Sequence, residues 1–148
     1  MKFYLFLFIS ILVFAFCKDE SASKKTAPTE TAGVLSPNEI EDLVNKADYV
    51  DFLFYHMNIS VSQNDKASIA QSCRFLTPIA KTSAMNCPAI GRVSFQSMGK
   101  IVLEADLHLA QNCGYFTIIE NKKEKGTSLM SSDGVKFFTA LVDGYKSK

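Results

Sequence analysis

Glu104, Asp106 and His108 stand at i, i+2 and i+4 within a stretch, Lys100 to Leu109, that alternates polar and apolar residues. On an extended strand this spacing projects all three side chains from one face. Two carboxylates and an imidazole on a shared face could hold a divalent cation or relay a proton. Any strand with one wet face carries polar residues in the same register, so the three form a polar strand face with no catalytic or metal role assigned. Cys73, Cys87 and Cys113 are the second set. A thiol becomes a nucleophile beside a base, and His56 and His108 are the two histidines available. Three cysteines also permit one disulfide and leave one thiol over. Cys73–Cys87 is the preferred pair, because it pins the end of a helix to the loop that follows. Closing a loop of about fifteen residues contributes roughly 3 kcal/mol in the entropy model. Cys73–Cys113 and Cys87–Cys113, which tie helix or loop to sheet, are the alternatives.

Other motifs say less. His56-Met57 are both haem-ligand types, but no C-x-x-C-H accompanies them. The chain has no CxxC pair, HExxH, GxSxG, P-loop or GxGxxG, so no cofactor is expected. Phe52, Phe54, Tyr55 and Met57 form an aromatic-rich cluster expected to be buried, and Lys122, Lys123 and Lys125 a solvated hairpin tip.

The elements that must position these residues follow from periodicity. Ser36-Pro37-Asn38-Glu39 places Ser at the N-cap, Pro at the first helical position and Glu at the third, a capping box. Ile40, Leu43, Val44, Ala47, Val50 and Phe54 continue at helical spacing, which predicts a helix from Pro37 to about Tyr55. Residues 56–64 read as a connection, with Ser62 or Asn64 capping a second helix from about Asp65 to Leu76. Residues 79–90 read as a loop. The period then changes to two: strands are predicted over Arg92–Gln96, Lys100–Leu109 and Gly114–Asn121, with a short fourth at Thr127–Ser131 after a charged loop. Asp133 or Ser132 caps a last helix with Val135, Phe138, Leu141, Val142 and Tyr145 on its apolar face. The expected fold class is α+β: two N-terminal helices, an antiparallel sheet of three to four strands and one C-terminal helix.

The 148 residues suit one domain. Sixteen Lys and Arg against fifteen Asp and Glu give +1, which excludes a nucleic-acid binder argued from bulk charge. The N-terminus differs from the rest. Phe3 to Phe16 is an uncharged apolar run behind Lys2, too short to cross a bilayer of about 30 Å and fitted to a signal peptide. The alternative is an uncleaved N-terminal anchor. Cys17 closes the run and Lys18-Asp19-Glu20 follows. This layout resembles a bacterial lipoprotein signal, and Cys-Lys-Asp-Glu resembles the acidic surface-export start of Bacteroidetes-type lipoproteins. Phe16 departs from that pattern, which places Gly, Ala or Ser before the cysteine.

The resemblance implies residues 1–16 as signal peptide and Cys17 as the lipidated residue, carrying a diacylglycerol and a palmitate-class acyl chain. Residues 17–35 then form the lipidated cysteine and its flexible tether, and 36–148 a single α+β domain. It further implies a lipid-anchored protein of the cell envelope, at the outer membrane or cell surface, meeting oxidising surroundings. Its expected partners are the membrane, through the anchor, and an unknown protein or small-molecule ligand, with no nucleic acid. The expected function is a non-enzymatic binding module. The alternative is an exported enzyme using Cys113 or the Glu104/Asp106/His108 face.

Overall fold

Ser36 folds as its spacing demands. Its hydroxyl accepts from the Glu39 N–H at 3.3 Å, and the Glu39 carboxylate accepts from the Ser36 N–H at 2.7 Å. Helix α1 (Pro37–Lys46) follows from that box and buries Leu43 and Val44. The computed structural model describes residues 33–146. The next elements are β1 (Tyr49–Phe54), β2 (Ser60–Gln63) and α2 (Lys66–Cys73). A meander follows, of β3 (Ala89–Ser97), β4 (Lys100–Ala110), β5 (Cys113–Glu120) and β6 (Lys123–Leu129), and α3 (Ser132–Lys146) closes the described chain. The six strands form one sheet in the order β2-β1-β3-β4-β5-β6, antiparallel throughout. The fold is α+β with three helices, as expected in class, but with six strands rather than three to four.

The first predicted helix stops nine residues early. Ala47 leaves the helix at φ −67° and ψ 134°, and Tyr49–Phe54 is strand β1. Val50, Phe52 and Phe54 are buried, whereas Leu53 and Tyr55 are exposed. Period two thus wins over period 3.6 across YVDFLF, a run whose aromatic and β-branched side chains fit a pleated surface. β2 occupies part of the expected connection. Asp65, not Ser62 or Asn64, caps α2, accepting from the Ser68 N–H at 2.9 Å. Ser131, not Ser132 or Asp133, caps α3 through the Gly134 N–H at 3.3 Å. The expected loop over 121–126 shrinks to a two-residue turn. Asn121 and Lys122 both have positive φ, Glu120 pairs with Lys123, and β6 starts there.

One face of the sheet is the core. Val50, Phe52, Val93, Phe95, Leu107 and Phe116 are all at most 1% exposed. Phe138 of α3 sits edge-on against Phe52 at 5.2 Å and Phe75 at 5.6 Å. The other face is crossed at one side by residues 77–88, a strap running around the β6 edge. Leu129 N–H donates to Ile79 O at 2.6 Å, and Lys81 N–H to Thr127 Oγ1 at 3.2 Å. Gly33 N–H donates to Pro78 O, Val34 N–H to Thr127 O, and Leu35 is 5% exposed. The packed chain therefore includes residues 33–35, placed in the tether by sequence. Strap and entry segment together cover an edge that would otherwise invite strand pairing. Among the described residues no helix is long and apolar enough to cross a membrane. The expected signal peptide, Cys17 and most of the tether lie outside the described residues.

Candidate functional site

The polar face of β4 forms in the expected register, and its neighbours are already engaged. Arg92, directly opposite Asp106 on β3, places Nε 2.8 Å from Asp106 Oδ1 and Nη1 3.4 Å from Glu104 Oε1. The Tyr55 hydroxyl donates to the same Asp106 oxygen at 2.7 Å. Burial by itself would raise the Asp106 carboxyl. The hydrogen bonds from Arg92 and Tyr55 and the Arg92 charge outweigh it, and the net displacement is downward. Tyr55 moves upward, by partial desolvation first and then by Asp106. One carboxylate, one guanidinium and one phenol thus satisfy one another.

His108 is separated from this set in its bonding. Its Nδ1–H donates to Cys87 O at 2.9 Å, since a carbonyl can only accept, and its Nε2 lies 3.1 Å from Thr117 Oγ1. Its ring stacks on Tyr115, centroids 4.3 Å apart and planes within 10°. Lys81 Nζ stands 4.7 Å from the centre of the Tyr115 ring, a cation–π contact from the strap. Both imidazole nitrogens are thereby used, and Tyr115 is 3% exposed. The structure brings Glu104, Asp106 and His108 to one face but divides their bonding, the two carboxylates with Arg92 and the imidazole with Cys87 O and Thr117 Oγ1. Among the described residues no three His, Cys, Asp or Glu side chains come together to hold a metal.

The disulfide is Cys87–Cys113, not the preferred Cys73–Cys87. The tight β4–β5 turn sets Cys113 beside the strap, whereas Cys73 is on α2, packed into the core on the opposite face. Cys113 therefore has no thiol to offer a reaction. Cys73 is fully buried, and desolvation pushes its thiol up to about 11, far from a nucleophile's range. The bridge closes a loop across 26 positions and fixes the strap over His108 and Tyr115.

The aromatic-rich cluster divides between faces. Phe52 and Phe54 are buried in the core, Tyr55 joins the polar network, and Met57 is half-buried. Met57 and His56 border a different feature, which the sequence did not disclose. Beyond Phe138 helix α3 has no fully buried residue: Leu141 packs half-buried against the core, Val142 is half-buried and Asp143–Lys146 are exposed. Beside the helix lies a groove of about 450 Å³ lined by Ile90, Leu109, Val135 and Val142, with Gln111, Asn112, Thr139, Asp143 and Lys146 supplying polar groups. A second hollow of about 290 Å³ shares Ile90, Val142 and Lys146 and adds His56, Met57 and Tyr145. The two adjoin along one flank of α3 through these shared residues. Their walls are apolar and their few polar groups are the kind that orient a ligand. Arg92, Thr117 and Lys81 were equally hidden, because only strand register and the path of the strap bring them to the face. The chain matches no model of a protein family, no curated protein and no solved structure.

Proposed function

We propose that the chain is a lipid-anchored envelope binding module, tethered through Cys17, whose groove beside α3 takes a small, elongated, largely apolar ligand. The observation that carries the binding reading is the apolar wall of Met57, Ile90, Leu109, Val135 and Val142 beside a helix end whose side chains are only half-buried or exposed. A core-facing helix normally closes such a space, and its apolar stripe should reach its last turn. The combined hollow is of the size that accepts a small molecule. The anchoring reading rests on the apolar run, Cys17 and the acidic start. The Cys87–Cys113 bridge suits the oxidising surroundings that export would supply.

Two measurements test it. Intact mass of the membrane-extracted protein should match a chain starting at Cys17 plus acyl groups. A mass starting at Met1 would overturn the anchoring half. For the groove, the full chain is titrated with an environment-sensitive naphthylamine dye. One saturable site is expected, and Val142→Trp, which fills the hollow, should weaken it at least about tenfold, the cost of losing a well-filled apolar contact of ~1.4 kcal/mol. Equal dye binding by wild type and Val142→Trp, or none by either, would overturn the groove.

A further inference from the structure

The β3–β4 and β5–β6 turns lie at the same end of the sheet, opposite the groove. The first ends in an apolar tip: Met98 is 87% exposed, Ile101 58% and Val102 47%. Lys100 is exposed beside them, and the neighbouring turn contributes Lys122 and Lys123, also exposed. None of these three lysines makes an ion pair among the described residues. Lys125 is engaged with Glu120 at 3.2 Å, and Glu124 is the remaining acid on that turn. Asp48 spends its carboxylate on the tip itself, accepting from the Met98 N–H at 2.6 Å. The turn at the other end, Gln111-Asn112, is polar and uncharged.

We propose that this end of the sheet docks on an anionic lipid bilayer, with Met98, Ile101 and Val102 entering the interface and Lys100, Lys122 and Lys123 meeting headgroups. Three features favour a bilayer over other occupants. Lys100 stands within the tip and Lys122 and Lys123 flank it on the β5–β6 side, so cations accompany the apolar side chains, as in interfacial segments bound by burial plus charge. Ser97 pairs with Lys100 at the turn and Asp48 satisfies the Met98 N–H, while the irregularity that skips Val102 sets the side chains there out of strict alternation. The tip also keeps Met at a positive φ of 51°, where Asn or Gly would close the turn with less strain. Local folding therefore gives no reason for that side chain. This inference is independent of the groove and of lipid at Cys17.

The chain contains no tryptophan, so an introduced one reports alone. Met98→Trp and, as the opposite-end control, Gln111→Trp are made in the full chain. Each is reconstituted into phosphatidylcholine vesicles with and without phosphatidylglycerol, some carrying brominated acyl chains. In anionic vesicles, Trp at 98 should shift to the blue and be quenched by bromine, and Trp at 111 should not. One lysine near an anionic surface is worth about fivefold in partition, so Lys100→Glu, Lys122→Glu and Lys123→Glu combined with Met98→Trp should lower tip occupancy on the order of 100-fold and abolish quenching. Circular dichroism confirms that the exposed substitutions leave the fold intact. Equal quenching at 98 and 111, no quenching at 98, or quenching independent of phosphatidylglycerol would overturn the proposal. So would a blue shift at 98 that grows with protein concentration without lipid, which would assign the tip to a second copy.

Discussion

Asp106 illustrates how the polar face does its work. It lies between Arg92 and Tyr55, and its carboxyl is held below the usual range because their bonds to the charged form exceed the penalty of partial burial. A carboxylate with a lowered folded value adds stability that is complete above its unfolded value near pH 4 and is lost as pH falls through the folded value. Replacing Asp106 by Asn removes that contribution and leaves Arg92 with Glu104 at 3.4 Å. The urea midpoint of Asp106→Asn should lie below wild type at pH 6, and the gap should narrow steadily from about pH 4 downward. The Arg92 side chain is 38% exposed, so solvent screens the pair and the gap at pH 6 should be about 1 kcal/mol or less. A gap that stays constant to pH 2 would mean that the carboxylate's charge contributes nothing. Tyr55 adds an alkaline counterpart. Its raised phenol favours the folded state below its unfolded value near 10, and this is lost as pH rises through the folded value.

At the scale of elements, β1 is the sharpest case. The residues Ala47, Val50 and Phe54 satisfy a helical period, and Val50, Phe52 and Phe54 satisfy a strand period over the same stretch. No Gly or Pro separates the two readings, and the tie is broken by pairing with β2 and β3, which no local pattern contains. The two periods assign opposite roles to adjacent residues, so mutation distinguishes them. Phe52→Ala should cost about 3–5 kcal/mol, as a fully buried ring removed from a packed core. Leu53→Ala, at a position 54% exposed, should cost under about 0.5 kcal/mol in the same denaturation series. Comparable losses would contradict the strand. The capping box at Ser36 and the alternation of β4 were legible because their causes are local: a hydroxyl three residues from a carboxylate, and a side-chain period of two. The Cys87–Cys113 bridge and the Arg92–Asp106 pair were not, since both depend on which distant segments become neighbours. The groove was hidden for the converse reason. Val135, Leu141 and Val142 read as core, and only the tertiary structure shows that all three stop at half-burial and that Val135 and Val142 line a hollow.

The two candidate surfaces occupy opposite ends of the molecule, and that arrangement has a consequence for access. β4, eleven residues long, runs from the apolar tip to the groove, a span of about 35 Å at the rise of an antiparallel strand. The strap and the residues 33–35 cover the β6 edge between those ends, and Cys87–Cys113 fixes the strap. If Cys17 carries lipid as proposed, the fifteen residues between it and Gly33 would give a root-mean-square reach of about 21 Å on flexible-coil statistics, enough to let the tip touch the surface. With the tip down, the groove lined by Ile90, Val142 and Lys146 would lie at the far end of β4, away from the headgroups. The ligand would then reach the protein from the aqueous side and not laterally from the bilayer. The naphthylamine dye, with its partition into lipid measured and subtracted, should therefore bind the protein on sealed anionic vesicles as tightly as it binds the detergent-extracted chain, within about threefold. The tip charge reversals should leave that affinity unchanged on vesicles while they release the tip. A tenfold loss of affinity on vesicles, recovered in detergent, would place the groove against the membrane and reverse the orientation.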